Sequence, residues 1–191
     1  MISQILDYWF INGNMKRWFK SGNVHDEEIK SQFGALLKKA ENFELWNWVY
    51  TKDGYLAHII LLDQFSRHIY RNTPDAYKND AYGLFFMEYG LEKYLHLFSA
   101  IEKMFVLMPY QHTTNIYYQQ KGCDLLHQLI QQEHNFNEKN ILKNALKHQI
   151  GHLNVLQMFG RFPKRNKALG RKSTQEETEY MEQPEVKKRP Y

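Results

Sequence analysis

The chain has 191 residues, of which 43% are hydrophobic and 15% aromatic, and its formal net charge is +4. This length fits one domain, and the supply of large apolar residues is enough for a buried core, which excludes disorder along the whole chain. The single cysteine, Cys123, excludes an internal disulfide framework and a cysteine-based zinc cage, and it fits a reducing compartment.

The sequence predicts neither a secretory signal nor a membrane span. The first ten residues, MISQILDYWF, contain no basic segment and no small-residue cleavage site. The longest aliphatic run, Ile59–Leu62, falls far short of the roughly 20 apolar residues that a spanning helix needs. We therefore expect a cytoplasmic protein that does not enter the membrane. The mildly basic charge suits an anionic partner.

Apolar residues at three- and four-residue spacing predict helices through the first half of the chain. The stretch 53–71 carries a broad apolar stripe, and Asp53 is the candidate residue for capping its start. Thr73 followed by Pro74 predicts the opening of a second helix, since proline is well tolerated at the first helical position.

The second half gives similar signals. Ser99 and the glutamate three residues later form a capping-box pattern, and Pro109 is expected to end that helix. A further helix is predicted over 114–133, and Asn137 could cap the next one. Two overlapping capping boxes, Ser173 with Glu176 and Thr174 with Glu177, precede a final short helix.

No segment alternates as a strand would. The patterns therefore predict an all-α fold of about seven to nine helices in one domain over residues 1–182. The charged, proline-containing segment 183–191 is expected to be a mobile tail.

Polar residues cluster on one side of the helix predicted over 53–71. Asp63 and Arg67 are four residues apart, with the acid first, which favours an ion pair. Gln64, Arg67, His68 and Arg71 share that side, either as a wall for an anionic ligand or as a solvated ion-pair face. Asp63 interrupts an aliphatic run, which predicts that it is partly buried and paired with Arg67 or Arg71.

The segment MPYQHTTNIYYQQ, residues 108–120, contains a candidate acid or base. If Pro109 precedes a helix start, His112 lies near free backbone N–H groups that could bind an anion, and its imidazole could exchange protons with a ligand. The alternative is a hydrogen-bonded structural histidine. His148 and His152 have the spacing of helix-borne metal ligands, but without a third ligand no metal site is predicted.

The segment FGRFPKRNKALGRKSTQEE, residues 159–177, concentrates positive charge in a loop. Three interpretations stay open: an anion-binding loop, arginines that cap helix C-termini and pair with acids such as Asp63 and so lock the loop onto the bundle, and solvated charge. Nucleic acid is not expected, because no RNA- or DNA-binding motif accompanies the loop. Its cations are Arg161, Lys164, Arg165, Lys167, Arg171 and Lys172.

Together these segments resemble a family. LLDQFSRHIYRNTPDAY is similar to L-L-D-Q-F-x-R-N-x-[FY]-R-x-[ST]-x-x-A-[FY], and residues 159–177 are similar to F-G-R-F-P-H-R-N-x-x-L-G-R-x-[ST]-T-x-E-E. The opening ILDYWF, Trp18 and the pair Phe33–Gly34 extend the resemblance. The family is widespread and mainly bacterial, its members are uncharacterised, and its fold is tetratricopeptide-like. The resemblance implies antiparallel helical hairpins and carries no established activity.

The resemblance also implies which positions are shared. They are Asp63, Gln64, Phe65, Arg67, Arg71, Pro109, His112, Gln119, His152, Phe159, Gly160, Arg161, Phe162, Pro163, Arg165, Asn166, Leu169, Gly170, Arg171, Ser173, Thr174, Glu176 and Glu177. Ser66 replaces a usual proline, His68 a usual asparagine and Lys164 a usual histidine, while Thr114 stands where the family carries a carboxylate.

Our first hypothesis is a binding module whose groove takes an anionic small ligand or an acidic peptide. The expected ligand-binding residues are Asp63, Gln64, Arg67, Arg71, Gln119, His152, Arg161, Arg165, Asn166 and Arg171. The alternative is a hydrolase or transferase that acts on an anionic metabolite, with His112 as the catalytic acid or base. We predict no cofactor and no metal, and the sequence does not predict an oligomeric state.

Overall fold

The computed structural model describes residues 1–11, Trp18 and 23–187. All regular elements in these residues are helical, and the nine helices confirm the predicted fold class and helix number. The first three are α1 (Ile2–Leu6, continued by a π-helix over Asp7–Ile11), α2 (Asn23–Glu41) and α3, which consists of Lys52–Ile59, a π-helical segment Ile60–Phe65, and Ser66–Ile69.

The remaining helices complete the bundle. They are α4 (Asp80–Tyr94), α5 (Ala100–His112), α6 (Ile116–Gln132), α7 (Phe136–Phe159), α8 (Gln175–Glu182) and α9 (Pro184–Lys187). Short 3₁₀ turns at Trp46–Tyr50, Pro74–Tyr77, Leu95–Leu97 and Pro163–Arg165 connect several of them. Helices α5, α6 and α7 are joined by three-residue connections and pack against one another.

Several predicted helix starts match the structure, and others are displaced. The capping boxes at Ser99 and Thr174 are both formed. Thr51 caps α3 in place of Asp53, because its extended backbone lets the hydroxyl accept the N–H of Gly54. Asn135, two residues before the expected cap, starts α7.

Pro109 does not end its helix. Helix α5 continues through Pro109 to His112, and every residue from Met104 to His112 is buried. Proline removes one backbone hydrogen bond from a helix interior, and the burial of this central helix offsets that loss. His112 consequently lies at the C-terminal end of α5, and the predicted helix start beside it is wrong.

Helices α3 and α5 form the centre of the core. From Gly54 to Ser66 every α3 residue is buried. Aromatic side chains from the N-terminal part of the chain pack against both helices: Trp9 contacts the rings of Phe65 and Phe105 at 5.4 and 5.5 Å between centroids. Since α3 is enclosed by these contacts, a polar group on it must find its partners inside the protein.

The C-terminal segment begins with ordered structure. Residues 184–187, within the stretch predicted to be mobile, form α9, and the side chain of Val186 is only 2% exposed. Residues 188–191 lie outside the described part. None of the described helices combines the length and the hydropathy needed to span a membrane.

His58 is a buried polar group on α3. It is 0% exposed and lies 4.5 Å from the ring of Phe86, and within the described residues neither ring nitrogen has a hydrogen-bond partner. Burial lowers its pKa to about 4. Its imidazole therefore stays neutral in the folded protein at a pH where the unfolded chain already binds a proton.

We predict that His58→Leu reduces the acid sensitivity of the fold. A lowered histidine pKa contributes stability that is complete above the unfolded pKa near 6.5 and lost as the pH falls towards the folded pKa. The loss of unfolding free energy between pH 7 and pH 5 should shrink by about 2 kcal/mol, measured by urea denaturation. The control His96→Leu, at an exposed position, should keep the wild-type loss. An equal loss in both variants would refute this role of His58.

Candidate functional site

A cavity of about 450 Å³ lies where α3, α5 and α7 meet the loop after α7 and the C-terminal helices. Its apolar lining includes Met104, Met108, Ala145, Val155, Phe162, Pro163 and Val186. Its basic lining consists of Arg67, Arg71, Lys164 and Arg165, and four histidines, His68, His112, His148 and His152, also face it. Among the described residues, no aspartate or glutamate lines the cavity.

The π-helical segment of α3 carries the buried acid behind the cavity wall. Asp63 and Gln64 lie within it, and Asp63 is 1% exposed. The hydroxyl of Ser66, the residue that follows this segment, donates to the Leu62 carbonyl at 2.6 Å. Short π-helical segments within α-helices are frequent at functional sites.

Asp63 joins two helices through His112. The Nδ1 of His112, at the end of α5, lies 2.6 Å from Oδ1 of Asp63. Arg67 contacts the same oxygen at 3.3 Å and donates to the Asp63 carbonyl at 2.7 Å. Burial raises the pKa of a carboxyl group, but Arg67 and His112 outweigh it and hold the pKa of Asp63 well below its usual range.

A second acid, Asp80, joins the loop after α7 to this network. One Asp80 oxygen accepts from Arg67 and the other from Arg165, both at 2.8 Å. Arg165 also donates to the His112 carbonyl at 2.9 Å and stacks on the ring of Tyr77 at 4.5 Å. Arg67, Arg165 and His112, which lie on different segments of the chain, therefore meet at one cavity.

Asp26 forms a similar network with Arg71 and His68. Asp26 of α2 accepts from Nε and Nη2 of Arg71 at 2.5 and 2.9 Å, and its Oδ1 lies 2.8 Å from His68 Nδ1. Burial raises the pKa of Asp26, but the bonds from Arg71 and His68 outweigh it and lower that pKa.

Three histidines of the cavity are anchored through the same ring nitrogen. Nδ1 of His68 contacts Asp26, that of His112 contacts Asp63, and that of His152 lies 2.7 Å from the Gln111 carbonyl. Burial lowers the pKa of all three, that of His152 to about 3. The rings are therefore mainly neutral near pH 7. For His112 and His152, the acceptor on Nδ1 requires the proton to sit there, whereas Nδ1 of His68 also lies 3.0 Å from Nη2 of Arg71.

Internal carboxylates neutralise most of the positive charge of the cavity lining. Four cations line it, and three carboxylates, Asp26, Asp63 and Asp80, pair with their guanidinium groups. With these three histidines neutral, one positive charge is in excess. The wall thus offers oriented guanidinium groups rather than a strong positive field.

We compared this chain with protein-family models, curated proteins and solved structures. The model of DUF924, a bacterial protein family of unknown function, matches residues 5–185. The chain belongs to this family. A solved structure, that of the protein of unknown function ATU0120 from Agrobacterium tumefaciens, superposes with a TM-score of 0.82 at 30% sequence identity, covering 95% of this chain and 96% of that one. A search of curated proteins gave no match.

Five residues predicted to bind ligand are outside the lining of the cavity of this DUF924 member: Asp63, which lies behind the wall, and Gln119, Arg161, Asn166 and Arg171. Gln119 is fully buried and donates to the carbonyls of Gln111 and Thr113. Arg161 pairs with Glu177 at 2.6 Å and lowers the pKa of that carboxyl group to about 2.

The other two belong to the same loop. Asn166 donates to Ser173 and Glu177, and Arg171 donates to the Phe162 carbonyl. These contacts hold the loop through Glu177 and through groups of the loop itself, and not through Asp63, the acid named in the sequence-based interpretation. Of the six cations of the basic loop, only Lys164 and Arg165 line the cavity.

The sequence reasoning missed the acids that orient the arginines. Asp26 lies 45 residues from its partner Arg71, and Asp80 lies 85 residues from Arg165. No spacing rule connects such pairs. Thr114 is exposed and is not among the lining residues of the cavity.

We predict that Asp63→Asn destabilises the protein by about 3 kcal/mol at pH 7, because it leaves the buried Arg67 without one of its charge partners. A lowered aspartate pKa contributes stability that is present above the unfolded pKa near 3.9 and lost as the pH falls below it. The gap between wild type and variant should therefore narrow by about 1 kcal/mol from pH 5 to pH 3.

Urea denaturation at both pH values measures this gap. Asp75→Asn is the matched control, because the Asp75 side chain is 58% exposed and its contact with Lys78 is long, at 3.7 Å; it should cost less than about 0.5 kcal/mol. A gap that stays constant with pH would show that the Asp63 charge does not stabilise the fold.

Proposed function

We propose that this protein is a cytoplasmic binding module, built on a tetratricopeptide-like arrangement of helical hairpins, whose cavity holds a small molecule with an apolar body and an anionic head. The main observation behind this proposal is that internal acids hold Arg67, Arg71 and Arg165 against one mainly apolar cavity. Guanidinium groups fixed in advance lose little freedom when they bind a carboxylate or a phosphate.

The size of the cavity favours a small ligand over an acidic peptide. A volume of about 450 Å³ lies within the usual range of small-molecule sites. The small excess of positive charge implies that most of the affinity comes from apolar contact and that the head group sets the orientation.

The basic loop supports this proposal over a nucleic-acid interface. Arg161, Arg165 and Arg171 all donate to internal carboxylates or carbonyls. A phosphate backbone would need cations that are free to meet it.

Filling the cavity should abolish binding. Val155 is half-buried and lines the cavity, so Val155→Trp would occupy its space. We expect octanoate to bind the wild type and to lose at least about tenfold in affinity in the variant. Isothermal titration calorimetry measures this, with octanamide as the neutral probe, which should bind more weakly than octanoate.

Met158→Trp is the matched control, because Met158 is on the same helix, is 57% exposed and lies outside the lining. We use a steric block because each cavity arginine also holds an acid, so that replacing one would change stability together with binding. Equal octanoate affinity in the two variants, or equal affinity for octanoate and octanamide in the wild type, would refute the proposal.

The Asp63–His112 pair supports a second candidate, a hydrolase or transferase acting on an anionic metabolite. With the Nδ1 proton directed at Asp63, the Nε2 lone pair of His112 can accept a proton. No serine, threonine or cysteine is among the described lining residues, so water or a second substrate would be the nucleophile, and Arg67 and Arg165 would hold the developing negative charge.

This candidate predicts that His112→Gln lowers hydrolysis of 4-nitrophenyl phosphate or mono-4-nitrophenyl succinate at least about 100-fold. Because burial lowers the pKa of His112 below its usual value, the basic form predominates at pH 7, and the wild-type rate should fall as the solution is made more acidic. His96→Gln is the control. Wild-type rates no higher than those of His112→Gln would rule out this catalytic role.

A further inference from the structure

The C-terminal segment Gln183–Lys187 closes one side of the cavity. Val186 is among the lining residues and is 2% exposed, whereas Pro184 and Glu185 are exposed. One apolar side chain from this segment is therefore inserted into the wall, while its neighbours face solvent.

Two hydrogen bonds of the described residues hold the Val186 backbone, in addition to contacts with α8. Lys164 of the basic loop donates from Nζ to the Val186 carbonyl at 2.7 Å, and the Val186 N–H donates to the Gln183 carbonyl at 3.0 Å. Helix α9 has four residues, which is too short to be stable without outside contacts. Its position depends on the Val186 side chain and on the bond from Lys164.

We propose that residues 183–187 form a movable wall of the cavity, and that Val186 determines how quickly a ligand enters and how large a ligand fits. Short segments that bury few side chains open at a small cost in free energy. Lys164 and Arg165 are neighbours in the 3₁₀ turn Pro163–Arg165, so the residue that fixes the wall adjoins the one that pairs with Asp80. The size selectivity depends on the proposed ligand-binding function, but the opening of the wall does not.

Opening can be measured without a ligand, through a thiol placed inside the cavity. Ala145 lines the cavity and is 2% exposed. The reporter is Ala145→Cys in a full-length Cys123→Ala background, labelled with 2-sulfonatoethyl methanethiosulfonate and followed by mass spectrometry. Adding Val186→Ala should increase the labelling rate about tenfold, because the wall opens more often.

Lys164→Met, which removes the second anchor, should also increase the rate, and Val186→Trp should decrease it. Val24→Ala is the matched control, because Val24 is 80% exposed. Far-UV circular dichroism confirms folding in each variant. Equal labelling rates in Val186→Ala, Lys164→Met and Val24→Ala would overturn the proposal.

Selectivity is tested with linear carboxylates from butanoate to dodecanoate, titrated by calorimetry. The longest carboxylate that binds should be longer in Val186→Ala than in Val24→Ala, and shorter in Val186→Trp. An unchanged length limit would overturn the assignment of Val186 as the residue that sets ligand size. If no carboxylate binds any of these proteins, the anion-binding function fails, while the labelling rates still decide whether the wall moves.

Discussion

One buried carboxylate organises the centre of this protein. Asp63 is enclosed by α3 and α5, and its charge is acceptable there only because Arg67, His112 and Gln64 all contact it. Replacing such a network by apolar side chains is often neutral for stability, whereas removing one partner is costly. Stability alone therefore gives little reason for an ionised group at this place. The network fixes the position of the proton on the His112 ring and the plane of the Arg67 guanidinium group, and both side chains line the cavity.

The same acids limit what the cavity can bind. Because Asp63, Asp80 and Asp26 neutralise most of the guanidinium charge, a small inorganic anion would gain little by entering, and it would lose its hydration. An amphiphilic anion gains in addition from the burial of its apolar part against Met104, Met108 and Phe162. The chemistry of the wall thus selects for the combination of an apolar body and a negative head.

Helical periodicity and capping residues were sufficient to predict the fold class, since these signals are local: the boxes at Ser99 and Thr174 are formed as expected. Pro109 was misread because the burial of α5, which offsets its missing hydrogen bond, arises from other helices. The partners of Arg71 and Arg165 could not be predicted, because their acids are 45 and 85 residues away. The pairing of Asp63 with Arg67 could be predicted from the sequence, because the two residues lie about one turn apart on the same helix.

The basic segment, residues 159–177, consists of two groups of side chains with different roles. Arg161, Asn166 and Arg171 bond within the loop and to Glu177, which fixes the path of the backbone. That path directs Lys164 and Arg165 the other way, to Val186 and Asp80. A change in the first group would therefore act on the cavity only through loop position, whereas a change at Lys164 or Arg165 alters the cavity wall itself. The density of cations in this motif reflects the folding of a loop that carries two site residues, so charge content alone overstates the positive surface that a ligand would meet.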